Sequence, residues 1–138
     1  MGKNRLREYR APWWLPGGHL QTIYAHFLNS APGLCLRRER WETPDDDFID
    51  LDWLDSSDDS ANLLVLFHGL EGCSNSHYAK SLMNHARRRR WRGVISHFRG
   101  CSGEHNRLLR AYHSGDSSEI DWILRPVKEN KPKAKIYL

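Results

Sequence analysis

The sequence lacks the features that mark several large classes of protein. No window approaches the ~18 consecutive apolar residues of a transmembrane helix. No apolar run follows the basic start Met1–Arg5, which argues against a secretory signal. The three cysteines show no C-x-x-C spacing, a pattern that favours free thiols in a reducing compartment over a disulfide framework. We therefore expect a cytoplasmic protein.

Motifs for metals and nucleotides are missing too. The eight histidines form no H-E-x-x-H motif and no tight cluster, so we predict no metal site. No G-x-G-x-x-G motif occurs, and we predict no cofactor. The sequence also contains no internal repeat.

Charge is distributed in blocks along the 138 residues. Residues 41–60 carry nine acidic and no basic side chains, whereas residues 61–138 carry fourteen basic and six acidic ones. A basic chain invites a nucleic-acid interpretation. Charge that alternates in blocks more often belongs to loops and solvated faces, and we expect no nucleic-acid partner.

An aromatic, proline-containing segment and a helix are predicted for residues 1–35. The helix begins near Gly18 and is ended by Pro32-Gly33. It has two interpretations: a helix packed over a sheet edge, which we favour, or an interfacial helix in peripheral contact with a membrane. Its apolar stripe recurs at i, i+3, i+4, i+7 and i+8 and consists of Leu20, Ile23, Tyr24, Phe27 and Leu28.

Residues 36–138 are predicted to form an α/β domain, which begins with a hairpin. Strands at Leu36–Trp41 and Phe48–Leu54 flank a turn at Pro44–Asp47. In the second strand Ile49, Leu51 and Trp53 alternate with Asp50 and Asp52, the period of a half-buried strand.

A strand–helix–strand unit follows the hairpin. The apolar runs Leu63–Phe67 and Gly93–Phe98 predict buried strands on either side of a helix at Ser76–Arg90. Such a βαβ unit requires a parallel sheet. A second helix should begin near Asp116 with an Asp116/Glu119 capping pair, and Pro126 should kink or end it near Arg125. The stretch 134–138 starts another strand.

The first candidate site is the turn after the strand Leu63–Phe67. The His68-Gly69 pair allows a sharp turn, because Gly tolerates unusual backbone angles. The Leu70 N–H can then point into the crevice where open α/β sheets bind ligands, which suits half an oxyanion hole. The alternative is a simple strand-to-helix turn.

The second candidate is Phe98–Gly103, at the end of the next strand, where a long connection begins. Cys101 beside Arg99 is either a thiol of lowered pKa or a small residue in a tight turn, and we favour the latter. Ser102 does not lie in a G-x-S-x-G motif, so we do not assign it as a nucleophile. Arg87–Arg90 fits a solvated helix end, and a patch for nucleic acid or anionic lipid is the alternative.

Four segments have to be read together: they are Pro12–Thr22, Leu66–Gly72, His97–Glu104 and Tyr112–Asp116. In their order and spacing they resemble the YheT-like branch of the α/β-hydrolase fold superfamily. The resemblance implies an eight-stranded, mostly parallel sheet, a Ser–Asp/Glu–His triad and carboxylesterase or lipase-like activity on acyl esters or lipids, without a metal. It also makes the Leu70 N–H one oxyanion donor, with Gly69 beside it and His68 and Arg99 as supporting residues.

The sequence departs from the family pattern at Asp46, Cys73 and Pro126, and most of all in the nucleophile. In the family the strand at Ile136–Leu138 leads into a G-x-S-x-G elbow, and no such motif occurs here. We therefore predict the first part of an α/β-hydrolase domain, truncated before the nucleophile elbow, with no catalytic residue in this chain. It would be part of a carboxylic-ester hydrolase, inactive as given. The alternative is a non-catalytic module that binds nucleic acid or anionic lipid through its basic helix end.

Overall fold

A computed structural model of the chain describes residues 9–28, 33–58, 60–113, 115–130 and 132–138. These residues form three helices and five strands. In chain order they are α1 (Gly18–Leu28), β1 (Arg37–Glu42), β2 (Phe48–Leu54), β3 (Leu63–Phe67), α2 (His77–Arg88), β4 (Arg92–Ser96), α3 (Ser117–Asn130) and β5 (Ile136–Tyr137).

The five strands form one mixed sheet in the order β1-β2-β4-β3-β5. The predicted hairpin is confirmed, since β1 and β2 pair antiparallel from Arg37 opposite Trp53 to Glu42 opposite Phe48. The predicted βαβ unit is confirmed too, because β3 lies parallel to β4, with α2 between them in the chain. β5 is parallel to β3 on its other side, so the carboxyl ends of β3, β4 and β5 share one edge.

The core lies on both faces of the sheet. One cluster includes Leu51, Leu63 and Val65 and packs under α3 through Ile123 and Val127. The cluster on the other face joins Leu54 and Ile95 to Ala79, Met83 and Ala86 of α2. Leu82 of the same helix is 40% exposed.

The prediction that β2 is half-buried is wrong. Asp50 and Asp52 are 1% and 5% exposed, so both faces of this strand are covered. Each carboxylate receives two hydrogen bonds from an arginine of the paired strand β1, Arg40 for Asp50 and Arg38 for Asp52. Pairing across the hairpin compensates for the burial of charge that the alternating pattern alone would place in water.

Two helices also differ from expectation. α1 begins at Gly18 as predicted, but Leu20, Ile23 and Tyr24 stay 41–52% exposed, so for these three the packing over a sheet edge is wrong. The side chains of Phe27 and Leu28, and the predicted stop at Pro32, lie outside the described residues. α3 runs through Pro126 to Asn130, so the predicted end of the helix near Arg125 is wrong. Proline removes one N–H from the helix ladder, while burial of Val127 at 1% exposure keeps the next turn on the core.

Among the described residues, no helix has the length and apolar character needed to cross a membrane.

Candidate functional site

The two predicted site segments lie side by side at the carboxyl edge of the sheet. β3 runs directly into His68, and β4 runs directly into His97 and Phe98. A hydrogen bond of 3.0 Å from the Phe98 N–H to Nε2 of His68 joins the segments. The ends of β3 and β4 are therefore adjacent, with the buried side chain of His68 between them.

His68 is a buried, neutral link rather than an accessible base. Its side chain is almost fully covered, and Nδ1 lies 2.8 Å from the Gly69 carbonyl oxygen. Because Nε2 accepts from Phe98, the proton is placed on Nδ1, which donates to Gly69. Burial lowers the pKa of His68, since a charged imidazolium would lose its hydration. His68 thus supports the turn through its two hydrogen bonds.

The turn Gly69–Gly72 is closed by a hydrogen bond of 2.9 Å from the Gly72 N–H to the Gly69 carbonyl. Glu71, its third residue, has a φ of +50°. A Cβ on Gly72 would lie 2.4 Å from Oη of Tyr78 and 3.0 Å from the Gly69 carbonyl. Only glycine fits at position 72 without displacing its neighbours.

Two tyrosines hold the turn from outside. Oη of Tyr78 accepts the Gly69 N–H at 3.0 Å, and Oη of Tyr112 accepts the Glu71 N–H at 2.6 Å. With the Gly72 N–H also paired, the Leu70 N–H is the one donor of this turn with no acceptor among the described residues. The Leu70 side chain is 89% exposed. The turn is thus fixed while one donor remains available.

An aromatic wall stands beside the turn. The Phe98 and Tyr112 rings stack at 5.0 Å, and His68 meets Phe98 edge-on at the same distance. The sequence analysis did not assign roles to Tyr78 or Tyr112. Tyr112 lies within one of the four family-like segments, which was a usable signal, whereas nothing in the local sequence marks Tyr78.

Arg99 is directed away from the turn into a buried ion cluster. It donates four hydrogen bonds, all to carboxylates, at 2.7–3.0 Å. Burial alone would lower the pKa of Arg99, but the hydrogen bonds to Asp45 and Glu119 raise it above its ordinary value. The same contact with Arg99 lowers the pKa of Asp45 to about 2. Arg99 therefore ties the end of β4 to the hairpin turn, through Asp45 and Asp47, and to α3, through Glu119.

His97 belongs to a second buried network. Its Nε2 lies 2.8 Å from Oδ2 of Asp52, whose carboxylate also receives both hydrogen bonds from Arg38. Burial opposes ionisation of Asp52, yet the hydrogen bonds from Arg38 and His97 bring its pKa well below its ordinary value. His97 is 2% exposed and fully engaged, so its role is to hold β2 against β4.

Cys101 is not an activated thiol. Burial is the main reason that its pKa is raised rather than lowered. The charge of Arg99 is already neutralised by the carboxylates around it. This corrects the lowered-pKa interpretation and favours a residue in a tight turn. Within the described part of the chain, no group of three or more His, Cys, Asp or Glu side chains is placed to hold a metal ion.

Solved structures place the fold in a known class. An α/β hydrolase from Agrobacterium tumefaciens of unknown function superposes with a TM-score of 0.57 at 16% identity and covers 71% of this chain and 45% of that one. An α/β serine hydrolase homologue from Coxiella burnetii gives a TM-score of 0.57 at 15% identity, over 72% of this chain and 49% of its own. The fold is that of the α/β hydrolases.

Sequence relatives narrow the class. A protein of Escherichia coli (strain K12) named as an esterase, YheT, is 45% identical over 109 residues, which are 78% of this chain and 32% of that protein. The protein abhd-3.2 of Caenorhabditis elegans is 29% identical over 94% of this chain and 35% of its own length. No protein-family model matches. The chain is a relative of the YheT-like α/β hydrolases, and it spans about a third of the length of these relatives.

Proposed function

We propose that this chain provides the oxyanion-binding part of a serine carboxylic-ester hydrolase. The observation that carries the proposal is the free Leu70 N–H in a turn whose other donors are all paired. The relationship to a protein named as an esterase supports the same chemistry. Acyl esters, either small molecules or lipids, are the proposed substrates.

The geometry of the turn suits stabilisation of a tetrahedral intermediate. When a nucleophile attacks an ester carbonyl, the oxygen gains negative charge and needs donors that are already in place. Tyr78 and Tyr112 fix the peptides on either side of Leu70, so its N–H does not have to reorganise during the reaction. One such donor contributes about 10²–10³ in kcat.

Among the described residues we assign no nucleophile, acid or base that would act together with the Leu70 N–H. The sequence has no G-x-S-x-G motif, and the two histidines that follow β3 and β4, His68 and His97, are buried in structural hydrogen bonds. Without nucleophile and base, the chain on its own should not hydrolyse esters above background. Activity would require the serine, the acid and the histidine to come from outside these residues.

A chimera tests the proposal. Residues 1–138 would replace the matched segment of Escherichia coli YheT, and hydrolysis of p-nitrophenyl acetate and longer acyl esters would be measured beside the parent. We expect activity in the chimera and none in the chain alone. In the chimera, Leu70→Pro removes the N–H and should lower kcat by about 10²–10³, whereas Leu70→Ala keeps it and should retain activity.

Two results would count against the proposal. Equal kcat for Leu70→Pro and Leu70→Ala would remove Leu70 from the oxyanion site. Absence of hydrolysis in both parent and chimera, with all ester chain lengths, would exclude ester hydrolysis as the activity.

A second candidate function rests on the basic end of α2. Arg88, Arg89 and Arg90 are exposed and form no ion pair with any described residue. A polyanion such as nucleic acid or an anionic lipid surface would fit them. Binding that weakens steeply with salt, and that is lost in a triple Arg→Gln variant, would support this function. The helix dipole by itself favours cations at the C-terminal end of α2, so we rank this candidate function second.

A further inference from the structure

A pocket of about 320 Å³ lies between the hairpin turn that joins β1 to β2 and the first two turns of α3. Since β1 and β2 form one end of the sheet and β5 forms the other, the pocket is far from β5 in strand order. None of the residues 69–72 lines it, so it is separate from the Leu70 turn. Its volume suits a small ligand. The lining includes Asp45, Arg99, Arg110, Glu119 and Trp122.

The charged groups around this pocket are predominantly acidic. Two arginines contact four carboxylates there, which leaves two negative charges in excess. Both guanidinium groups are already engaged, since Arg99 donates to three of the carboxylates and Arg110 donates a hydrogen bond of 2.7 Å to the fourth. An excess of negative charge attracts a cation and repels an anion. The carboxylates belong to Asp45, Asp47, Asp116 and Glu119.

One oxygen of Glu119 lacks a hydrogen-bond donor. The Glu119 side chain is 4% exposed, and its Oε2 accepts a hydrogen bond of 2.7 Å from Nε of Arg99. Its Oε1 is buried and has no hydrogen-bond partner among the described residues. Buried carboxylate oxygens are normally hydrogen-bonded, because the loss of their hydration otherwise costs free energy. Glu119 therefore gives the pocket an acceptor that an N–H group of a ligand can satisfy.

Trp122 adds an aromatic side to the pocket. The residue is partly buried, and its ring meets the Trp41 ring edge-on at 6.1 Å. An indole attracts organic cations and also packs against alkyl carbon atoms. A metal ion suits the pocket less well, since no group of three or more His, Cys, Asp or Glu side chains in the described ranges is placed to hold one. These features favour a cation that carries N–H groups and a short apolar body.

We propose that this pocket binds the primary ammonium group of a small organic molecule. Oε1 of Glu119 accepts one N–H, the excess negative charge balances the ammonium, and Trp122 contacts the attached carbon atoms. The guanidinium of Arg110 lies 3.5 Å from Asp45 and 3.8 Å from Glu119, so it competes with the ligand for the same carboxylates. The ammonium site and the ester-hydrolase proposal do not depend on each other.

The test titrates the full 138-residue chain with n-butylammonium and follows its amide and indole N–H signals by NMR. We expect the signals of Glu119, Trp122 and the hairpin turn to shift. n-Butanol has the same carbon chain without the charge, and tetramethylammonium has the charge without an N–H group. Each should bind at least about tenfold more weakly, because a charge-assisted hydrogen bond is missing. Inorganic phosphate should leave these signals unchanged.

Two glutamates of α3 provide a matched pair of variants. Glu119→Gln removes the negative charge at the acceptor and should weaken n-butylammonium binding about tenfold. Glu129→Gln makes the same change near the other end of the helix, outside the pocket, and should leave the affinity unchanged. Arg110→Met removes the competing cation and should strengthen binding about tenfold. If Glu119→Gln does not fold, Trp122→Leu replaces it and should weaken binding about threefold.

Several results would overturn the inference. The first is the absence of any shift with n-butylammonium, and the second is equal binding of n-butanol or tetramethylammonium. Phosphate binding that Arg110→Met abolishes would identify an anion site instead. Equal affinities of the Glu119→Gln and Glu129→Gln variants, or an unchanged affinity of Trp122→Leu where that variant is used, would place the ammonium elsewhere.

Discussion

At the scale of single residues, the candidate site depends on a glycine and a histidine that fix the turn around Leu70. Gly72 is enclosed by Tyr78, the Gly69 carbonyl and the Cβ of His68. His68 bridges the turn and the end of β4. Each can be tested without knowledge of the substrate.

We predict that Gly72→Ala destabilises the fold by about 1–3 kcal/mol, because its methyl group must displace Tyr78 or the turn backbone. Gly69→Ala is the matched control in the same turn, since its Cβ would meet only Oη of Tyr78 at 4.0 Å. The urea unfolding midpoints of the two variants measure how much stability each one loses. Equal losses would mean that Gly72 is not sterically required.

His68 should make stability depend on pH below neutrality. In the unfolded chain its imidazole takes up a proton near pH 6.5, whereas burial lowers its pKa in the fold. The unfolded state therefore binds more protons in this range, and the free energy of unfolding falls as pH drops from 7 towards 5.

The variant His68→Gln isolates this contribution. Its free energy of unfolding should decline less between pH 7 and 5.5 than that of the wild type, and the two should run parallel from pH 7.5 to 8.5. Urea unfolding at each pH measures both slopes. Identical slopes below pH 7 would show that His68 is protonated in the fold.

At the scale of elements, Arg99 connects the hairpin turn, the end of β4 and the start of α3. The hairpin turn provides Asp45 and Asp47, the first turn of α3 provides Glu119, and Arg99 itself follows β4. Asp47 also accepts hydrogen bonds from Asn106 and the Arg107 N–H, which secures the long connection after β4.

We predict that Arg99→Met costs about 3–5 kcal/mol, because it leaves buried carboxylates close together without a counter-charge. Arg107→Met is the control. Arg107 pairs with the exposed Glu42, where water screens the charges, so Arg107→Met should change the free energy of unfolding far less. Chemical denaturation compares the two. A small loss for Arg99→Met would mean that the carboxylates become protonated at little cost.

At the scale of the whole molecule, paired carboxylates link the hairpin to the rest of the fold, which makes the protein sensitive to acid. Asp45 has a pKa of about 2 in the fold against an ordinary value of 3.8, with Arg99 as the main cause. A carboxyl whose folded pKa is depressed contributes stability above its unfolded pKa and loses it as pH falls through the folded value.

We therefore expect the free energy of unfolding to fall from about pH 4 to about pH 2. In Asp45→Asn this decline should be shallower, because one depressed carboxyl has been removed. Asp121→Asn, at an exposed carboxylate paired with Arg125 on α3, is the control. Urea titrations at pH 5, 4, 3 and 2 provide the comparison, and equal slopes for the Asp45 variant and the wild type would contradict the role of Asp45.

Much of the fold could be predicted because its signals are local. The apolar run Leu63–Phe67 and the alternation of Phe48–Leu54 reproduce the observed bounds of β3 and β2. The His68-Gly69 turn was also placed correctly, because a glycine soon after a strand favours a sharp change of chain direction. Burial of Asp50 and Asp52 was not predictable in this way, since it depends on arginines of the neighbouring strand.

The sequence by itself determined the order of the elements, the parallel βαβ unit and the position of the Leu70 turn. Only the tertiary structure decided that Tyr78 and Tyr112 bind the neighbouring amides of the turn and leave the Leu70 N–H free. It also decided that Arg99 faces carboxylates and that α3 continues through Pro126. The reason is physical. Periodicity and turn chemistry act between neighbours in the chain, whereas the partner of a buried charge or a turn amide can lie 41 or 54 positions away.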